Sequence, residues 1–394
     1  MTTTNTLALS APSDPWEQIG LFALFGVAGA VLFSIAGAQI LLALAIACWV
    51  ALLITRRERF AAPSFFWPLV VYAGWTVVSM AFSPDSWLSL SETKQLVLFL
   101  MVPLVYRFAT GQRALTMITV ILSFAAASAT IGIVQYSILH FDNLGQRPQG
   151  TLGHYMTYSG LLMLVLSAAL ARILFGQRER VWAAAVVPAL AVAIALTLSR
   201  SAWVGACAAA ALLLTLKDFR LLAVLPVVAA IFFAIAPATV TKRFASIFDM
   251  NDPSRRDRVA MLHEGAHMIR AHPLVGVGPN MVQPLYPQYR DPDAVNDVNP
   301  HLHNVPVQIA AERGLPALAI WLWFVVSLIV SLVPRLREAQ TRFLAASALA
   351  AVTAMLAAGL FEHNFGDSEF LMLFLILVTL PFATERRDPR ATLG

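Results

Sequence analysis

The chain has 394 residues, of which 59% are apolar and only 12% charged, and its formal net charge is +5. Soluble domains carry about 25% charged residues, so a water-soluble globule is excluded, as are a disordered chain and a collagen-like one. The two cysteines, Cys48 and Cys207, lie in apolar runs, which excludes a disulfide scaffold and makes them packing residues. What remains is an all-α polytopic membrane protein.

The first sixteen residues contain no Lys or Arg and so lack the basic region that opens a cleaved signal peptide. Residues 1–18 read as a cytoplasmic N-terminal tail. Apolar stretches then predict about twelve transmembrane helices, at 19–34, 37–54, 65–82, 94–107, 113–137, 157–175, 181–199, 201–216, 221–238, 316–333, 341–360 and 368–384. The expected organisation is helices one to nine in 19–240, a large periplasmic loop with short helices in 241–315, helices ten to twelve in 316–384, and a cytoplasmic C-terminal tail in 385–394.

Orientation follows from Lys and Arg, which are retained on the cytoplasmic side of short loops. With the N-terminus inside, 16 of the 27 fall in inner loops and tails. Lys94, Arg147 and Arg200 belong to short outer loops, and eight more lie in the long outer segment, a kind that escapes the rule. All eight histidines (His140, His154, His263, His267, His272, His301, His303 and His363) then fall outside. The long segment carries eight basic and eight acidic residues without a block of either sign, so neither a polybasic lipid patch nor a nucleic-acid partner is expected.

This segment reads as built structure. Ser254 and Asp257 resemble a capping box, and Val259, Leu262, Ala266 and Ile269 recur on one helical face up to Pro273. Leu274 to Asn280 is a glycine-rich loop. Asn304 can cap a helix over Val305 to Arg313, with Pro306 in its first turn and Gly314 at its stop. His303 therefore stands at a helix entrance near the outer membrane face.

Arg200 sits between two apolar stretches with almost no loop, where an ionisable group usually faces a cavity or a partner. Lys94, beside Glu92, precedes a short apolar run, and either cation could snorkel to headgroups instead. Arg147 precedes Gly150-Thr151-Leu152-Gly153-His154, whose glycines could let amides approach an anion. Arg258 is on the amphipathic helix. Arg147, Arg200, Arg258 and His303 converge on one membrane face where acidic partners are sparse, and several guanidinium groups around a cavity suit a diphosphate.

The chain has no P-loop, GxSxG elbow, HExxH or CxxC pattern. His263 and His267 share a helix face without a ligand set, and Asp85 and Glu92 are a weak cation pair, so no metal and no cofactor are expected.

His303-Asn304, nine residues, Gly314 and then Leu315-Pro316-Ala317 resembles the His-Asn-x9-Gly signature of the O-antigen ligase family. Thr197-Leu198-Ser199-Arg200-Ser201-Ala202-Trp203 is similar to that family's Ser-Arg span junction. Arg258 with Pro273-Leu274-Val275-Gly276-Val277-Gly278-Pro279 is similar to the segment opening its large loop, and Gly150 to His154 to its smaller outer loop. Leu262 departs from the pattern, since relatives often have Trp there.

The resemblance implies a GT-C-like glycosyltransferase of the bacterial inner membrane with its active site on the periplasmic side. Such an enzyme moves polysaccharide from undecaprenyl diphosphate to a sugar hydroxyl of lipid A-core, among membrane lipids and without metal. It implies His303 as general base, Arg200 and Arg258 as the catalytic diphosphate clamp, Arg147 and Lys94 as secondary cations, and His154 and Asn304 as further substrate-binding residues. A single displacement would invert the anomeric carbon. An O-antigen polymerase shares this logic. A secondary transporter fits poorly, because no half-to-half repeat is visible.

Overall fold

The computed structural model describes residues 14–56, 58–249 and 252–386. Most of both predicted tails, together with Arg57, Arg387 and Arg390 of the charge census, lies outside the described residues. Among the described residues there is no strand. The helices are α1 (Pro15–Ala30), α2 (Ile35–Thr55), α3 (Phe66–Ala81) and α4 (Ser86–Thr93), which a 3-10 stretch over Lys94–Leu100 continues into α5 (Met101–Phe108). Next come α6 (Gln112–Ser137), α7 (Tyr155–Phe175), α8 (Arg180–Leu196), α9 (Arg200–Lys217), α10 (Val224–Ile235) and α11 (Ala238–Ala245). The last five are α12 (Pro253–Ala271), α13 (Val282–Tyr289), α14 (Val305–Leu332), α15 (Arg342–Gly359) and α16 (Ser368–Glu385).

A helical element lies on each predicted span. Among the described residues seven stretches are long and apolar enough to cross a membrane, and Phe66–Ala81, Arg180–Leu196 and Phe219–Ile235 are shorter apolar helices. The chain is a helical membrane protein. Its flanks are apolar accordingly: Phe22 is 74% and Val181 85% exposed, surface that a water-soluble protein would hide. Cys48 is buried as expected, whereas Cys207 is exposed on α9 and is not a packing residue within the chain.

The centre is formed by α16, buried all round from Phe370 to Ala383, which packs on α5, α7 and α15. A helix apolar on every face belongs inside a bundle. Around it α15 packs on α7 and α9, and α14 packs on α3 and α12.

One end of the bundle carries α11 to α13. There α12 starts two residues earlier than the capping-box reading placed it. Pro253 occupies its first turn, and the Asp252 carboxylate caps it by accepting from Arg255 N at 3.2 Å. Asp257 instead ties down the chain after α13, accepting from Val295 N, Asn296 N and Asn299 Nδ2. The predicted apolar face is also rotated. Val259 and Leu262 are exposed, and the buried face is Ala260, Met261, Glu264, Gly265 and Met268.

Leu274 to Asn280 is a loop as expected, and it threads against α14. Val277 N and Gly278 N donate to Ala311 O and Glu312 O, and Leu315 N donates to Pro273 O. Gly314 interrupts α14 with φ +80°, and a Cβ there would stand 2.0 Å from Leu274 O. Only glycine permits both that backbone and that approach.

Candidate active site

The turn 197–199 reverses the chain between α8 and α9, with Leu198 at φ +55°, and makes Arg200 the first residue of α9. Arg200 is not the unpartnered cation its sequence context suggested. Its Nη2 donates to Asp252 Oδ2 at 2.9 Å and its Nη1 to Ser246 O at 3.3 Å, while Nε is buried without a partner. Arg243, which the sequence reading left among the loop charges, approaches the same Asp252 oxygen at 3.8 Å and donates to Leu198 O. Against the desolvation of its own burial, Arg200 holds the Asp252 carboxyl below the usual carboxylate range. Burial and the neighbouring Arg200 and Arg147 press Arg243 down to about 10.

Arg147 lies with its guanidinium 4.0 Å from the Tyr155 ring centroid, and its Nε donates to Leu144 O. The loop behind it does not offer its first amides to an anion. Gln149 N and Gly150 N both donate to Gln135 Oε1, at 3.0 and 2.9 Å. Arg258, projecting from α12, has no hydrogen bond or salt bridge among the described residues. Burial is the main cause that lowers its pKa, with Arg200 adding to it and Glu362 opposing.

Arg147, Arg200, Arg243 and Arg258 line one cavity together with Asp252 and Tyr155. Arg200 and Arg258 also line an adjoining space of about 930 Å³, in which Arg255, His303 and Asn304 join them. The exposed Val259 and Leu262 form part of its wall, which explains the rotation of α12: its apolar stripe faces this space rather than the protein core.

His303 has a left-handed backbone, φ +46°, a conformation that persists in a non-glycine residue only where its surroundings enforce it. Two contacts do so. Asn304 caps α14 as predicted, accepting from Val307 N at 3.0 Å, and donates through Nδ2 to Leu360 O at 3.0 Å. Both amide atoms are thus committed to the protein. His303 Nδ1 meets Glu362 Oε1 at 3.0 Å, and His301 Nε2 approaches the same oxygen at 3.4 Å. Burial of Glu362 would raise its pKa, but the hydrogen bonds from His301 and His303 overcome this and hold the carboxyl well below its ordinary value. An ionised carboxylate only accepts, so His303 Nδ1 donates and Nε2 is left with the lone pair.

Glu362 and His301 are functional candidates that sequence reasoning missed. The available signal was the polar run Glu362-His363-Asn364 between two apolar stretches, since a charge at a membrane margin is a candidate by default. The ligating atoms of His301, His303 and Glu362 lie within 4.8 Å of one another, a spacing a metal ion could use, although no metal was expected from the sequence.

The remaining candidates are divided. His154 stands beside Thr157, which donates to Asp367, and lines a space that His301 and Glu362 also line. Lys94 is exposed and lines none of these cavities. Asp85 is occupied as the cap of α4, accepting from Trp87 N and Leu88 N.

No curated protein matches the chain. Residues 183–322 match the family model described as O-antigen ligase, a stretch that runs from α8 through Arg200, Arg258 and His303 into α14 beyond its break. The His303-Asn304-x9-Gly314 pattern, placed at the capped entrance and the break of that helix, falls inside the matched stretch, so this part of the chain is similar to the O-antigen ligase family.

Proposed function

We propose that the protein is an O-antigen ligase, transferring polysaccharide from undecaprenyl diphosphate to a sugar hydroxyl of lipid A-core. In this reading about twelve helices cross the bacterial inner membrane, and the end bearing α11 to α13 faces the periplasm. The observation that carries the reading is that His303, Arg200 and Arg258 line one cavity with apolar side chains beside them. Such a mixture suits a diphosphate attached to a lipid and to a sugar.

The acceptor hydroxyl attacks the anomeric carbon while the bond from that carbon to the diphosphate oxygen breaks. The proton passes to His303 Nε2, and the diphosphate leaves with its charge held by Arg258 and Arg200. Arg147 and Arg243 extend the positive field around the leaving group. Because the guanidinium groups supply that charge stabilisation, the reaction is expected to run without metal, and one displacement inverts the anomeric centre.

The test is transfer by purified protein in EDTA, with undecaprenyl-diphosphate-linked glycan and lipid A-core supplied. Glycan is expected on lipid A-core. Lengthened chains confined to the undecaprenyl carrier would replace the ligase with a polymerase. Activity lost in EDTA and restored by a divalent ion would assign His301, His303 and Glu362 to a metal instead.

A further inference from the structure

His301 also lines a second space, of about 920 Å³, to which His303, Arg200 and Arg258 do not contribute. The floor is fixed. Glu312 accepts from Asn280 N through Oε1 and from Arg313 Nη1 through Oε2, at 3.0 and 2.6 Å, and Gln308 Oε1 accepts from Leu302 N. The walls are not. The side chains of Glu92, Gln95, Asn280 and Gln283 line the space with no hydrogen bond or salt bridge among the described residues, and Tyr72 and Phe99 stand beside them in edge contact, with ring centroids 6.2 Å apart.

These groups select a ligand chemistry by elimination. A diphosphate would meet the Glu92 carboxylate and a single guanidinium, Arg313, that is already paired. A divalent cation would find Glu92 as the one uncommitted carboxylate beside His301, because both oxygens of Glu312 are engaged. A lipid tail would strand the amides. A neutral polyhydroxyl ring suits them: the planar amides donate to and accept from neighbouring hydroxyls, the carboxylate accepts from them, and aromatic faces cover the apolar side of the ring. The location is also apt, since the His301 ring lies 4.3 Å, centroid to centroid, from that of His303.

We propose that this chamber is a saccharide subsite, holding a neutral sugar ring of one of the two glycan substrates beside the His301–His303 pair. The proposal rests on the glycosyl-transfer reading above. It is tested in the full-length protein with Gln283→Trp, which fills the space from an exposed rim position, and with the milder double variant Glu92→Gln/Gln95→Ala. In the transfer assay, KM for one substrate is expected to rise about tenfold, or about 1.4 kcal/mol, with kcat and the other KM within about twofold. A raised KM for lipid A-core would place the acceptor there, and a raised KM for the lipid-linked glycan would place the donor sugar there. Active wild type with both KM values unchanged in every variant overturns the chamber. Saturation-transfer NMR with delipidated core oligosaccharide and with delipidated donor glycan separates the two readings. Binding to wild type that Gln283→Trp removes would sustain the chamber even if wild type transfers nothing, whereas binding of neither glycan by an inactive wild type overturns both.

Discussion

The arginine cavity and the histidine node, which meet at His303 and Arg258, treat charge in opposite ways. Around the arginines cations are in excess: Arg200 and Arg243 share the single carboxylate of Asp252, and Arg147 and Arg258 have no salt bridge among the described residues. Around the node a carboxylate is shared between two imidazoles. Cations gathered without counter-charge repel one another and lose hydration, a cost that an anionic ligand offsets when it binds. A carboxylate already engaged by the protein has another use, to hold a ring in one tautomer. On the proposed function the first region binds and the second positions.

Removing the base should have the largest effect. His303→Ala is expected to lower kcat by about 10² to 10⁴-fold with the KM for the lipid-linked donor nearly unchanged. Glu362→Gln keeps the shape but loses the charge that fixes the Nδ1 proton, so its loss should be smaller and its pH–rate profile displaced. Retained turnover in His303→Ala would remove this residue as the base. An unshifted profile in Glu362→Gln would reduce Glu362 to a packing residue.

The arginine side is sharpened by comparing its members. Arg258→Ala removes a cation whose charge no salt bridge offsets and should lower kcat/KM by about 10² to 10³-fold. Lys94→Ala should change it by less than about twofold, because Lys94 is exposed and lines none of the arginine cavities. Equal losses in the two variants would show a general surface field in place of a built clamp.

Much of this site was legible because its residues advertise themselves locally. Asn304 caps α14 and Gly314 breaks it where their types and spacing predicted, and Arg147, Arg200 and Arg258 do converge. What escaped depends on contacts distant in sequence. Glu362 reaches His303 across 59 positions from the link between α15 and α16, and no periodicity connects them. Asp252 was counted among scattered loop charges, yet it is both the cap of α12 and the counter-ion of Arg200. The error over α12 has a different origin. Apolar periodicity reports which face avoids water, and it cannot say whether that face meets a core or lines a cavity for an apolar ligand.

The smallest expected effect separates His363 from its neighbour Glu362 through the acid side of stability. Burial, followed by the charges of His301 and Arg313, holds the His363 pKa well below its ordinary 6.5, so its ring stays neutral in the folded protein. As pH falls through about 6.5 the unfolded chain takes up a proton that the folded one refuses, and stability declines by at most about 1.4 kcal/mol per pH unit. Glu362 is also depressed, from an ordinary 4.5, so its contribution persists through this window and is lost only at lower pH, as the carboxyl protonates first in the unfolded chain and then in the folded one. His363→Gln should therefore flatten the fall in thermal midpoint between pH 7 and pH 5 in detergent, and Glu362→Gln should leave that slope in place. The reverse pattern would mean that His363 is protonated in the folded state, and that the carboxylate serves three imidazoles rather than two.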